Sequence, residues 1–155
     1  MKSKPGTYAL VLQSHKRTST QIGRWGRLNI QPGYYIYVGS AFGPGGVKGR
    51  VSRHFRKTKS KHWHIDYLRE KTDPVFAWYS HEPVHLEHQW AQKLSEMVET
   101  SPVKGFGCTD CTCFTHLFAM DKKPSLEQFR SSVDCLFEID IYPKKGYENG
   151  KKINY

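Results

Sequence analysis

Tyr34-Tyr35-Ile36-Tyr37-Val38-Gly39-Ser40 runs into Ala41-Phe42-Gly43-Pro44-Gly45-Gly46 and then into a basic segment, residues 47–56. Aromatic and β-branched side chains at residues 34–40 suit a pleated, half-buried surface, so this stretch reads as a strand. Alternation puts Tyr35 and Tyr37 on one face and Tyr34, Ile36 and Val38 on the other. The Gly/Pro cluster breaks the strand. Residues 47–55 then read as a helix with Val47, Val51 and Phe55 inward, and with Arg50 and His54 one turn apart. Upstream, Gly6-Thr7-Tyr8-Ala9-Leu10-Val11-Leu12 is a second strand of the same character.

Working outward, residues 13–33 are polar and carry Gly23, Gly26, Pro32 and Gly33. They read as a long excursion with one short strand near residues 25–30. Downstream, the pattern predicts a helix over 64–71, a strand over 75–79 and a long helix from Pro83 to about residue 99. Pro83 suits its first turn. On a wheel of 100° per residue, Val84, Leu86, Trp90, Ala91, Leu94, Met97 and Val98 share one half, and Glu87 falls near the middle of that half. A strand over 112–120, a short helix over 125–130 with Ser125 as N-cap, and a strand over 136–142 follow. The expected fold is α/β of the α+β kind: a small mixed or antiparallel central sheet flanked by helices. One domain is expected over residues 1–143, with a loose basic tail over 144–155.

Composition excludes several classes. Aromatics at 14 % of 155 residues argue against disorder. No apolar run is long enough to span a membrane, and no secretory signal precedes the first strand. Four cysteines in that setting read as thiols of a reducing compartment, so a cytoplasmic protein is expected. The net charge of +10 is lopsided: residues 1–61 hold 13 Lys and Arg and no Asp or Glu. Such a field attracts polyanions through counterion release. Nucleic acid is the expected partner, ahead of a merely solvated face and of anionic lipid or another polyanion. The expected contacts are Lys48, Arg53, Arg56, Lys57, Lys59, Lys61, His62 and His64.

Gly6-Thr7-Tyr8 and Tyr37-Val38-Gly39 resemble the two signatures of the GIY-YIG nuclease superfamily. The resemblance continues through Arg50 and His54 to Glu87. It is closest to the domain-of-unknown-function family 123, through Tyr37-Val38-Gly39-Ser40-Ala41, Arg53-His54, His62-Trp63-His64-Ile65-Asp66-Tyr67-Leu68 and Gly107-Cys108-Thr109-Asp110-Cys111. Tyr8 and Tyr37 lie 29 residues apart, where the superfamily usually has a short connection. The resemblance implies a metal-dependent nuclease that hydrolyses phosphodiester bonds, in DNA ahead of RNA, with little sequence specificity. Tyr8, Tyr37, Arg50, His54 and Glu87 are the implied catalytic residues. Glu87 is the implied ligand of Mg²⁺ or Mn²⁺, which binds through one or two carboxylates and keeps several waters. Arg50 would stabilise charge on the phosphate. Tyr8, supported by Tyr37, would orient or deprotonate the water, and His54 would act as base or acid. The rival readings are a non-catalytic nucleic-acid-binding module on the same fold and a zinc-stabilised interaction protein.

Two further clusters keep more than one reading. His62-x-His64-x-Asp66 fits helix capping or packing first, then substrate contact, then metal ligation. Cys108, Cys111, Cys113 and His116 form a single cluster, whereas structural zinc usually draws on two separated pairs. Packing is therefore expected ahead of zinc or a redox role.

Overall fold

The computed structural model describes residues 1–57, 59–108, 114–133 and 138–144, and the backbone alone of 146–148 and 151–153. Thr7–Ser14 forms β1, and all of it except Gln13 is buried. A strand buried on both faces belongs in the middle of a sheet. Thr18–Ile22 (β2) and Gly26–Ile30 (β3) make a hairpin, and Gly33–Ser40 is β4. Gly46–Phe55 (α1) and His64–Arg69 (α2) precede Asp73–Ser80 (β5), Glu87–Glu96 (α3), Ser101–Pro102 (β6) and Leu117–Met120 (β7). Leu126–Ser132 (α4), Asp140–Tyr142 (β8), Gly146–Glu148 (β9) and Lys151–Ile153 (β10) complete the order. The six-stranded sheet runs β6-β7-β4-β1-β5-β8, and every pairing in it is antiparallel. The α+β expectation therefore holds.

Despite the long connection, β1 and β4 pair directly, with Tyr8 opposite Gly39 and Leu10 opposite Tyr37. Tyr37 is thus the diagonal neighbour of Tyr8 on one face. The intervening residues fold back as the β2–β3 hairpin, whose Ile22, Leu28 and Ile30 are buried on that same face. The sequence reading expected only the second of these strands, because Thr18-Ser19-Thr20-Gln21 carries little apolar signal.

Two cores separate the layers. Tyr8, Leu10, Leu12 and Tyr35 pack under the hairpin, α1 and α2. Val11, Ile36, Val38 and Trp78 pack under α3 and α4, with Trp90 and Phe129 fully buried. Burying each such large side chain contributes about 1.5–3 kcal/mol. The alternation read in residues 34–38 is the one observed.

The N-terminus of α1 is closed by the chain itself. Val47 N–H donates to the Lys4 carbonyl at 2.9 Å and Lys48 N–H to the Lys2 carbonyl at 3.1 Å. Gly46 has φ 58°, and a Cβ there would collide with the Lys4 backbone. At the other end, Arg69 donates to the His54 carbonyl and Lys59 to the Arg56 carbonyl, cations placed where the helix dipole favours them.

The long helix from Pro83 to 99 is a correction. α3 spans only Glu87–Glu96. Before it, Leu86 N–H donates to Thr7 Oγ1 at 3.3 Å and His85 stacks on Phe42 with centroids 3.8 Å apart. After it, Met97 is extended and Val98 is exposed. Trp90, Ala91 and Leu94 are inward as expected, while Val84 is exposed. α4 begins where expected, its Ser125 hydroxyl accepting from Gln128 N–H. The strands expected over 112–120 and 136–142 are seen in part, as β7 and β8: residues 114–116 and 138–139 are not strand, and residues 112, 113, 136 and 137 lie outside the described set.

Candidate active site

At the end of the sheet where β1 begins and β4 ends, both helical layers open onto one cleft of about 450 Å³. Tyr8 from β1, Tyr37 from β4, Arg50 from α1 and Glu87 from α3 all line it, with His62 and His64 at its side. The Tyr8 and Tyr37 rings lie 6.5 Å apart. Gly39 makes the arrangement possible: a Cβ there would collide with the Tyr8 hydroxyl.

His54 does not line the cleft. It is fully buried behind Tyr8, whose hydroxyl lies 2.7 Å from its Nε2. Its Nδ1 has no hydrogen-bond partner among the described residues. Burial pushes the His54 ring down to about 3, Asp66 opposing and Lys59 reinforcing, so the ring is neutral near pH 7. Burial raises Tyr8 and Tyr37 well above the usual phenol range; Glu87 adds to both and Arg50 opposes. Both are neutral phenols in the resting protein.

Arg50 and Arg53 flank the Trp63 ring, with guanidinium carbons 4.2 Å and 4.5 Å from its centroid. A stacked Arg is held at a fixed position over the cleft. Arg53 is also paired with Asp66 through two hydrogen bonds of 2.6 and 3.0 Å, and it donates to the Ser60 carbonyl. Asp66 accepts in addition from the His62 and Trp63 N–H groups. These bonds hold the Asp66 carboxyl below the usual carboxylate range although burial opposes them. In His62-x-His64-x-Asp66, then, Asp66 caps the start of α2, while His64 Nδ1 accepts from Gly107 N–H at 3.1 Å.

The residues expected to meet nucleic acid divide in two. Lys48, Arg56, Lys57, Lys61 and His62 are exposed. Lys61 also pairs with Glu70 at 3.0 Å. Arg53 and Lys59 are half-buried and engaged within the fold. Burial pushes the Lys59 ammonium down to about 8, with Asp66 opposing.

Glu87 opens α3 and is partly exposed, its side chain at 26 %. Its Oε1 lies 3.7 Å from His88 Nε2 and 3.8 Å from His116 Nδ1. Burial lowers His116, with Glu87 opposing and His88 reinforcing, so it presents a neutral imidazole. A carboxylate facing a cleft, with imidazole nitrogens beside it, is a donor set that fits a divalent cation.

A sequence profile described as Domain of unknown function DUF123 matches residues 7–137. The chain belongs to this family. No curated protein and no solved structure matches it. The matched stretch of this DUF123 chain contains every cleft residue named above.

The roles of three residues of this DUF123 chain, Trp63 and His88 in the cleft and His116 beside Glu87, were not found from sequence. Trp63 figured in the run shared with family 123, with no role in the cleft assigned to it. His88 sat on the polar half of the α3 wheel. His116 was grouped with Cys108, Cys111 and Cys113 and not with Glu87. Of those cysteines, Cys108 is half-buried with its thiol 3.6 Å from the Phe106 carbonyl; Cys111 and Cys113 lie outside the described residues. Among the described residues, no helix is long and apolar enough to cross a membrane.

Proposed function

We propose that this chain is a divalent-metal-dependent nuclease of the GIY-YIG type. It hydrolyses phosphodiester bonds in DNA, single-stranded or structured, with little sequence specificity, and acts in the cytoplasm. One observation carries the reading: Tyr8, Tyr37, Arg50 and Glu87, spread over 80 residues of chain, line one cleft. The exposed Lys48, Arg56 and Lys57 add positive charge that draws a polyanion toward that cleft.

The chain's own groups divide the work. Arg50, held over Trp63, binds the scissile phosphate and meets the charge that grows on its oxygens. Tyr8 holds the attacking water through its hydroxyl, and the bond to His54 fixes where that hydroxyl points. Burial keeps Tyr8 protonated, so Tyr8 orients the water until further positive charge enters the cleft. Glu87 would hold a divalent cation, which when bound would supply that charge and neutralise the phosphate. Tyr37 supports the Tyr8 ring from its diagonal position.

The raised phenols favour one rival, a nucleic-acid-binding module without chemistry. Labelled single-stranded, duplex and branched DNA, and RNA, incubated with Mg²⁺, Mn²⁺ or chelator, separate the two. Metal-dependent cleavage supports the nuclease. Tight binding with no cleavage under any metal supports the module and defeats the proposal.

A further inference from the structure

Glu87 and His88 are the first two residues of α3, and His116 immediately precedes β7. Their ligand atoms all lie within 4.8 Å of one another. The two pairs made by Glu87, at 3.7 and 3.8 Å, are too long for hydrogen bonds, which centre near 2.9 Å. Ligand atoms held about 2.0–2.2 Å from a tetrahedral ion stand about 3.4 Å apart. The Glu87 pairs are within tenths of an ångström of that spacing. We propose that Glu87, His88 and His116 hold one divalent transition-metal ion of the Zn²⁺ and Co²⁺ type, a reading that deepens, and rests on, the cation dependence proposed above.

The three ligands differ in how firmly they are placed. His116 is 2 % exposed, and its backbone is bonded on both sides, its carbonyl to Val38 N–H and its N–H to the Phe106 carbonyl, each at 2.9 Å. Glu87 is fixed at the start of a helix. His88 is exposed and lines the same cleft, its ring centroid 5.9 Å from that of His116. Two imidazoles and one carboxylate suit a borderline ion, whereas Mg²⁺ takes oxygen ligands. Three protein ligands would leave a position open, and Glu87 and His88 line the cleft from which a phosphate oxygen would enter. With one ligand at the surface, the site exchanges its ion readily and is filled by added metal.

Titration of the full chain with Co²⁺, followed by visible absorption, tests this. One equivalent is expected to bind with the d–d bands of a nitrogen- and oxygen-ligated ion, to be displaced by Zn²⁺, and to persist in a hundredfold excess of Mg²⁺. His88→Gln lies at the surface and leaves folding intact; it is expected to weaken Co²⁺ at least about tenfold, as is Glu87→Gln. Co²⁺ affinity unchanged in His88→Gln, or a sulfur-to-cobalt charge-transfer band abolished by Cys108→Ser, overturns the ligand set. Co²⁺ binding as expected without cleavage of any nucleic acid supports this site and removes the nuclease reading alone. Mg²⁺-supported cleavage with no Co²⁺ site removes this inference alone.

Discussion

Tyr8→Phe removes one atom, the hydroxyl oxygen 2.7 Å from His54 Nε2. His54 is 0 % exposed behind the Tyr8 ring, so cleft water does not reach its Nε2 in the native chain. A buried hydrogen bond contributes about 0.5–1.5 kcal/mol net, and a partner left unsatisfied raises the loss to about 1–3 kcal/mol. The upper part of that range applies, because Nδ1 of the same imidazole already lacks a partner among the described residues. For a chain of this size the melting temperature should fall by about 4–12 °C. His54→Leu replaces the imidazole by an apolar group of similar size, and removal of both partners of a buried bond is nearly neutral. Tyr8→Phe made on the His54→Leu background should therefore cost little. Urea unfolding of the wild type, both single variants and the double variant gives the coupling, expected at about 2–3 kcal/mol. If Tyr8→Phe costs the same in both backgrounds within about 0.5 kcal/mol, the two side chains are independent and His54 does not position Tyr8.

Arg50→Ala should lower the rate of the chemical step by about 2.7–4 kcal/mol while changing substrate affinity much less; equal losses in single-turnover rate and in binding would make Arg50 a docking residue. Acid should expose the buried imidazole. The His54 value of about 3 lies below the unfolded value near 6.5, so the unfolded chain binds the extra proton. That contribution is complete above about pH 6.5 and is lost toward pH 3 at roughly 1.4 kcal/mol per pH unit. The urea midpoint should fall between pH 7 and pH 5 in the wild type and less in His54→Gln, and equal slopes would refute a buried neutral ring. Reversal of Lys48, Arg56 and Lys57 to Glu, all exposed, should weaken nucleic-acid binding more than tenfold and flatten its salt dependence, whereas salt-independent binding would remove the electrostatic argument.

The alternation of residues 34–38 was sufficient to put Tyr37 on its face of the sheet, whereas residues 6–12, apolar on both faces, were legible as a strand but not in their register with β4. The basic half was legible in the same way, as charge needs no fold to be counted. The α3 boundaries were not. Val84 and Val98 fit the apolar half of a wheel, yet both are exposed beyond the ends of the helix, which stops where Met97 becomes extended. Depth was not legible either. His54 and Arg50 share a helix face in sequence terms, but α1 lies against the sheet so that Arg50 reaches the cleft and His54 is sealed behind Tyr8. Arg53 counts as surface charge until α2 brings Asp66 to it. His116 meets Glu87 only because the segment leading into β7 bonds to Val38 of β4, a pairing no local pattern announces.

The central claim is cation-dependent cleavage at Glu87, and one substitution reaches it directly. Glu87 is partly exposed and near-isosteric with Gln, so Glu87→Gln should fold normally and, having lost a negative charge in a basic cleft, should bind nucleic acid at least as well. The measurement is cleavage of labelled DNA in Mg²⁺ or Mn²⁺ by wild type and Glu87→Gln, at enzyme concentrations that saturate binding. The account predicts cutting by the wild type, abolished by chelator, and almost none by Glu87→Gln. Cutting by Glu87→Gln at the wild-type rate would contradict it.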